Sequence, residues 1–123
     1  GWDRIRNNFE SLIKGEGAKV YKTIDGGDTW NILEGGLPND VTHSRMGITI
    51  HENDPNILYV QYVSESNYQL DAIYKTEDAG ISWDTIPIDE DINGLSGNAL
   101  GGFGWYFGTI RVNPNDPNDI YLL

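Results

Sequence analysis

The chain has 123 residues, with 8 Lys and Arg against 19 Asp and Glu and a net charge of −11. That balance disfavours a nucleic-acid backbone as partner, because neutralising phosphates takes clustered Lys and Arg. There is no cysteine, hence no disulfide scaffold and no thiolate chemistry. Nor is there a run of about 18 apolar residues that would span a membrane.

In chain order, residues 1–17 read as an N-terminal extension. Its segment Asn8-Phe9-Glu10-Ser11-Leu12-Ile13-Lys14 is the only stretch that predicts a helical turn or two. Val20-Tyr21-Lys22-Thr23 alternates like a half-buried strand. Asp25 follows and can accept backbone amides two or three residues on, closing an Asx-type turn. Gly27 provides a position where positive φ has no steric cost, and Trp30 opens the return strand. The predicted strands are 18–23 and 29–33. Next, Ile48-Thr49-Ile50 alternates, Asn53-Asp54-Pro55-Asn56 turns the chain, and Ile57-Leu58-Tyr59-Val60 runs back. Four consecutive antiparallel strands are expected near 46–51, 57–63, 70–76 and 82–86. The acidic run Asp89-Glu90-Asp91 belongs to a long linker that reads as a solvated loop. A last hairpin is expected near 107–112 and 119–123, turning at Asn115-Asp116-Pro117-Asn118.

Two patterns recur within this order. Thr23-Ile24-Asp25-Gly26-Gly27-Asp28-Thr29-Trp30 and Thr76-Glu77-Asp78-Ala79-Gly80-Ile81-Ser82-Trp83 both read Thr-x-Asp-x-Gly-x-Thr/Ser-Trp. Each follows the same lead-in, Val20-Tyr21-Lys22 and Ile73-Tyr74-Lys75. The hairpin at Ile48–Tyr59 likewise matches Ile110–Tyr121. Asp25 and Asp78 are 53 residues apart and Pro55 and Pro117 are 62 apart, so a 9-residue insertion lies between Trp83 and Ile110. Repetition at a fixed period signals a repeat architecture, and the unit is slightly longer than the roughly 40–50 residues of a four-stranded propeller blade. The prediction is an all-β chain of β-propeller blades, each of four antiparallel strands. A half-blade at 18–33, a full blade at 46–86 and a half-blade at 107–123 together make about two blades' worth.

These motifs resemble the Asp-box (BNR) repeats of β-propeller proteins over residues 18–123. The group includes sialidases, sortilin-type receptor domains and oligoxyloglucan-type glycoside hydrolases. The sortilin-like and xyloglucanase-like branch is the most similar, because there an Asp box is followed by a segment like Gly47-Ile48-Thr49-Ile50 and Asp54-Pro55-Asn56-Ile57-Leu58-Tyr59. The resemblance implies a structural role for Thr23, Asp25, Gly27, Trp30, Thr76, Asp78, Gly80 and Trp83. It also implies a secreted or periplasmic location. It implies either a binding or scaffold module for protein or glycan, or part of a secreted glycoside hydrolase whose acids lie largely outside this chain. The arginine set of a sialidase is not matched by Arg4, Arg6, Arg45 and Arg111.

Residues just before the first strand of a blade face the central opening of a propeller. That places Thr42-His43-Ser44-Arg45 and Gly104-Trp105-Tyr106-Phe107 there. His43 and Arg45 are candidates for a carboxylate or polar sugar groups, and Trp105 and Tyr106 for stacking on a sugar ring. His51, at a strand end, reads as structural. Glycoside hydrolysis takes two carboxylates about 5–10 Å apart, and no convincing pair stands out. No Ser/His/Asp order, phosphate-binding glycine loop or zinc spacing is present, so neither cofactor nor metal is assigned. The open half-blades predict either membership of a larger propeller or a homo-oligomer, with three copies giving six blades.

Overall fold

The computed structural model describes residues 5–6, 11–12, 15, 17–40 and 43–123. The described chain is all-β in character, built from small antiparallel sheets with two helical turns. At its centre is a four-stranded meander of β5 (Met46–Ile50), β6 (Leu58–Val63), β7 (Leu70–Thr76) and β8 (Asp84–Ile86). Three two-stranded hairpins complete the set. They pair β1 (Ile5–Arg6) with β2 (Ser11–Leu12), β3 (Tyr21–Lys22) with β4 (Asn31–Ile32), and β9 (Ile110–Asn113) with β10 (Asp116–Leu122).

The central sheet is covered on both faces, and β6 shows why. Its sequence Leu-Tyr-Val-Gln-Tyr-Val is a nearly continuous apolar run, as expected of a strand buried on both sides. Val60 and Tyr62 point into one cluster with Ala18, Val20, Leu37, Met46 and Trp83. Tyr59 and Val63 point into the other with Leu70, Ile73, Leu100, Ile110 and Val112. The β3–β4 hairpin therefore packs on one face of the sheet and the β9–β10 hairpin on the other. Thr49 Oγ1 accepts the Val112 amide at 3.3 Å and ties β5 to β9.

Strand positions in the centre match the sequence expectation to within two residues. The flanks differ. Ser11–Leu12 pairs as a strand with Ile5–Arg6, Ile5 opposite Leu12, where a helical turn was expected; the rest of 8–14 lies outside the described residues. The ladders of the hairpin at 18–33 shrink to Tyr21–Lys22 and Asn31–Ile32, because the turn around Asp25 occupies the residues between. Residues 104–107 are a helical turn, α2 (Gly104–Phe107), and β9 starts only at Ile110. The last hairpin turns at Pro114 and Asn115, with the Asn113 side chain accepting the Asn115 amide at 2.9 Å. Asp116-Pro117-Asn118 becomes a bulge inside β10, since the register shifts between Asp116 and Ile120. A bulge is one of the few strand positions that tolerate proline. Asp89-Glu90-Asp91 opens a second helical turn, α1 (Glu90–Asn93). Asp89 caps it by accepting the amides of Asp91 at 2.9 Å and Ile92 at 3.3 Å.

Candidate functional site

The two repeated turns share the same set of Thr, Asp and Gly hydrogen bonds, to which the second adds the Ile81 amide donating to Asp78 at 2.9 Å. In the first, Thr23 Oγ1 donates to Asp25 Oδ1 at 2.7 Å and accepts the Gly27 amide at 2.9 Å. Asp25 accepts the Thr29 amide at 3.0 Å and the Thr29 hydroxyl at 2.5 Å. In the second, Thr76 Oγ1 donates to Asp78 at 2.7 Å and accepts the Gly80 amide at 3.0 Å. Asp78 accepts the Ser82 amide at 2.9 Å and the Ser82 hydroxyl at 2.6 Å. The hydroxyl and amide donors of Thr29 and Ser82, then the hydroxyls of Thr23 and Thr76, hold both carboxyls well below the usual carboxylate range. With their oxygens occupied by local donors, these aspartates shape turns. Gly27 and Gly80 take φ of 106° and 90°, the left-handed side that their place in the pattern demanded.

The tryptophans of the two turns part company. Trp83 is buried in the cluster between the β3–β4 hairpin and the sheet. Trp30 is exposed and donates its indole N–H to the Gly27 carbonyl at 3.0 Å. The second turn is also clasped by the first hairpin. Lys22 Nζ donates to the Ala79 carbonyl at 2.7 Å, and the Trp83 amide bonds the Gly35 carbonyl at 2.9 Å.

Arg45, Trp105 and Tyr106 come together, and His43 does not join them. The Arg45 guanidinium donates to the Tyr106 carbonyl and so fixes the aromatic turn α2 to the start of β5. His43 is buried, its ring tilted against Tyr62 at 4.4 Å between centroids and its Nδ1 3.5 Å from Asp71. Burial holds the imidazole below its ordinary pKa against the pull of Asp71. It therefore offers no surface to a ligand, contrary to the expectation for a residue at the opening. Thr42 lies outside the described residues. His51 is buried and accepts the Asp54 amide at 3.2 Å through Nδ1, a structural role.

Around α2 the aromatics form a continuous group, exposed at Phe103, Tyr106 and Phe107 and half-buried at Trp105. Phe103 stacks on Phe107 at 5.8 Å and 17°, Trp105 meets Tyr106 at 5.5 Å, and Tyr106 meets Phe107 at 6.0 Å. Phe103, Tyr106 and Phe107 are 55, 69 and 49% exposed. Gly104 makes this arrangement possible. Its amide bonds the Tyr68 carbonyl at 3.0 Å. A Cβ there would lie 2.8 Å from both the Tyr68 carbonyl oxygen and Leu100 Cδ1. Beside the turn, Gln69 Nε2 donates to Asn98 Oδ1 at 2.7 Å, so side-chain amides border the aromatic face.

The sequence also did not single out Gln61, fully buried in β6 between Gly47 and Gly108, where a Cβ on either glycine would crowd its side chain. The glycines opposite a long side chain were the available signal. No family model, curated protein or solved structure matches this chain.

Proposed function

We propose that this chain is part of an Asp-box β-propeller of the sortilin-like and xyloglucanase-like kind, and that it works as a binding module for glycan or protein rather than as a complete enzyme. Two equivalent Asp-box turns and a four-stranded meander with a hairpin packed on either face support the propeller reading. A secreted or periplasmic setting accompanies it.

The exposed aromatic face of α2 carries the binding reading. Contiguous exposed aromatic surface bordered by polar groups marks interaction sites. Flat rings suit the apolar faces of neutral sugars, and a chain with net charge −11 repels polyanions. Neighbouring amides and the Arg45 guanidinium supply hydrogen-bond donors for hydroxyl groups.

Tryptophan emission titrated with neutral plant and bacterial oligosaccharides tests this, with Trp105→Ala as control. The expected result is a saturable change that Trp105→Ala abolishes while Trp30→Phe preserves it. An unchanged spectrum across the panel, with Trp105 shown by acrylamide quenching to be accessible, overturns the glycan reading.

A further inference from the structure

β5 and β9 are joined through the Val112 amide on Thr49 Oγ1. Toward their N-terminal ends they enclose a pocket of about 250 Å³, whose lining includes Arg45, Gly47, Gly108, Thr109 and Arg111. Both charged residues that line it are basic, in a chain with 19 acidic residues against 8 Lys and Arg. Among the described residues neither guanidinium pairs with a carboxylate.

Each guanidinium is tethered to the backbone through one Nη1. Arg45 donates to the Tyr106 carbonyl, and Arg111 to the Ile110 carbonyl at 3.1 Å. The tether restricts the side chain, so less rotamer freedom is lost when the other donors of the fork take a ligand. A guanidinium fork matches the two oxygens of a carboxylate.

Below the pocket lies Gln61, fully buried, with neither its amide oxygen nor its amide nitrogen hydrogen-bonded. A Cβ on Gly47 would lie 3.2 Å from Gln61 Nε2, and one on Gly108 3.1 Å from it. Only these two glycines separate the pocket from an unpaired amide, a buried group of the kind that calls for a reason. The floor therefore favours a polar ligand group over an apolar one. The volume is below the roughly 300–1,000 Å³ of sites for drug-sized ligands, which suits one sugar substituent rather than a whole chain.

The pocket adjoins the aromatic face. Gly108 both caps α2 and lines the pocket, and Arg45 holds the Tyr106 carbonyl. We propose that this pocket binds the carboxylate of a uronic acid residue within an otherwise neutral glycan held on the aromatics of α2. The inference rests on the glycan reading under Proposed function and names the sugar class. A net charge of −11 disfavours a polyanion, whereas a single carboxylate is matched locally by Arg45 and Arg111.

Calorimetry with xylotetraose bearing one glucuronic acid branch, against the methyl ester of the same sugar, tests the site. The acid should bind at least tenfold more tightly than the ester at 0.01 M sodium chloride. That ratio should shrink at 0.5 M, because salt screens exposed charges. Arg111→Gln, at an exposed position, should bring the ratio near one with native near-ultraviolet dichroism. A ratio unaffected by salt, or kept in folded Arg111→Gln, overturns the guanidinium contact. Inorganic sulfate that displaces the acid as well as free glucuronate does marks an unselective anion pocket and overturns the uronic acid assignment. Equal binding of acid and ester overturns this site and leaves the aromatic face standing. Binding of neither removes the glycan reading as well.

Discussion

At the scale of the residue, the pattern Thr-x-Asp-x-Gly-x-Thr/Ser-Trp was legible because all of its hydrogen bonds are local. Each partner lies within four positions of the next, so spacing alone specifies the turn. What the tryptophan does was not legible, since burial of Trp83 depends on Leu33 and the strands that cover it. His43 shows the same limit: its neighbour Asp71 is distant in sequence and brought close only by the sheet. Both groups make stability depend on pH in one direction. The His43 pKa is lowered in the folded chain by burial, so the unfolded chain binds the extra proton first. Its contribution is whole above the unfolded value of about 6.5 and declines as pH falls below it. Asp25 and Asp78 are also lowered, by their hydroxyl and amide donors, and their contribution declines only as pH falls below the unfolded value of about 3.9. Urea midpoints measured from pH 8 to pH 3 should therefore fall in two stages. His43→Phe should remove the upper stage and leave the lower; persistence of the upper stage in that variant assigns it to another group.

At the scale of the element, the meander β5–β8 was readable because turn residues punctuate it at Asp54-Pro55-Asn56 and at the turn around Asp78. Asp54 accepts the Asn56 amide at 3.0 Å, and Asp116 accepts that of Asn118 at 2.9 Å, so even the displaced copy keeps its Asx bond. The helical turn α2 was hidden. Gly104-Trp105-Tyr106-Phe107 has strand-like composition, and it coils because Gly104 lies against the Tyr68 carbonyl and Val63. The aromatic face depends on that one close approach. Gly104→Ala forces a methyl into space already filled, an overpacking that costs about 1–3 kcal/mol and displaces the turn from β6. We expect a lowered urea midpoint, altered near-ultraviolet dichroism of the aromatic group and at least tenfold weaker oligosaccharide binding. Unaltered dichroism and affinity would show that α2 is positioned by Arg45 and the loop instead.

At the scale of the whole molecule, the net charge of −11 bears on any association between copies. Like-charged chains repel over the Debye length, which shrinks from about 30 Å at 0.01 M salt to about 8 Å at 0.15 M. Apolar contacts between copies through exposed side chains such as Tyr121, Leu123 and Ile48 are insensitive to screening at these concentrations. Lys19 and Lys22, the latter already bonded to the Ala79 carbonyl, are too few cations to offset the general repulsion. Salt should therefore promote assembly. Light scattering at a fixed micromolar concentration is expected to show the mean mass rising from 0.01 to 0.15 M sodium chloride, with the melting temperature becoming dependent on protein concentration, as mass action requires of an oligomer. A mass that falls with added salt would mean that ion pairs, rather than apolar contacts, hold the copies together.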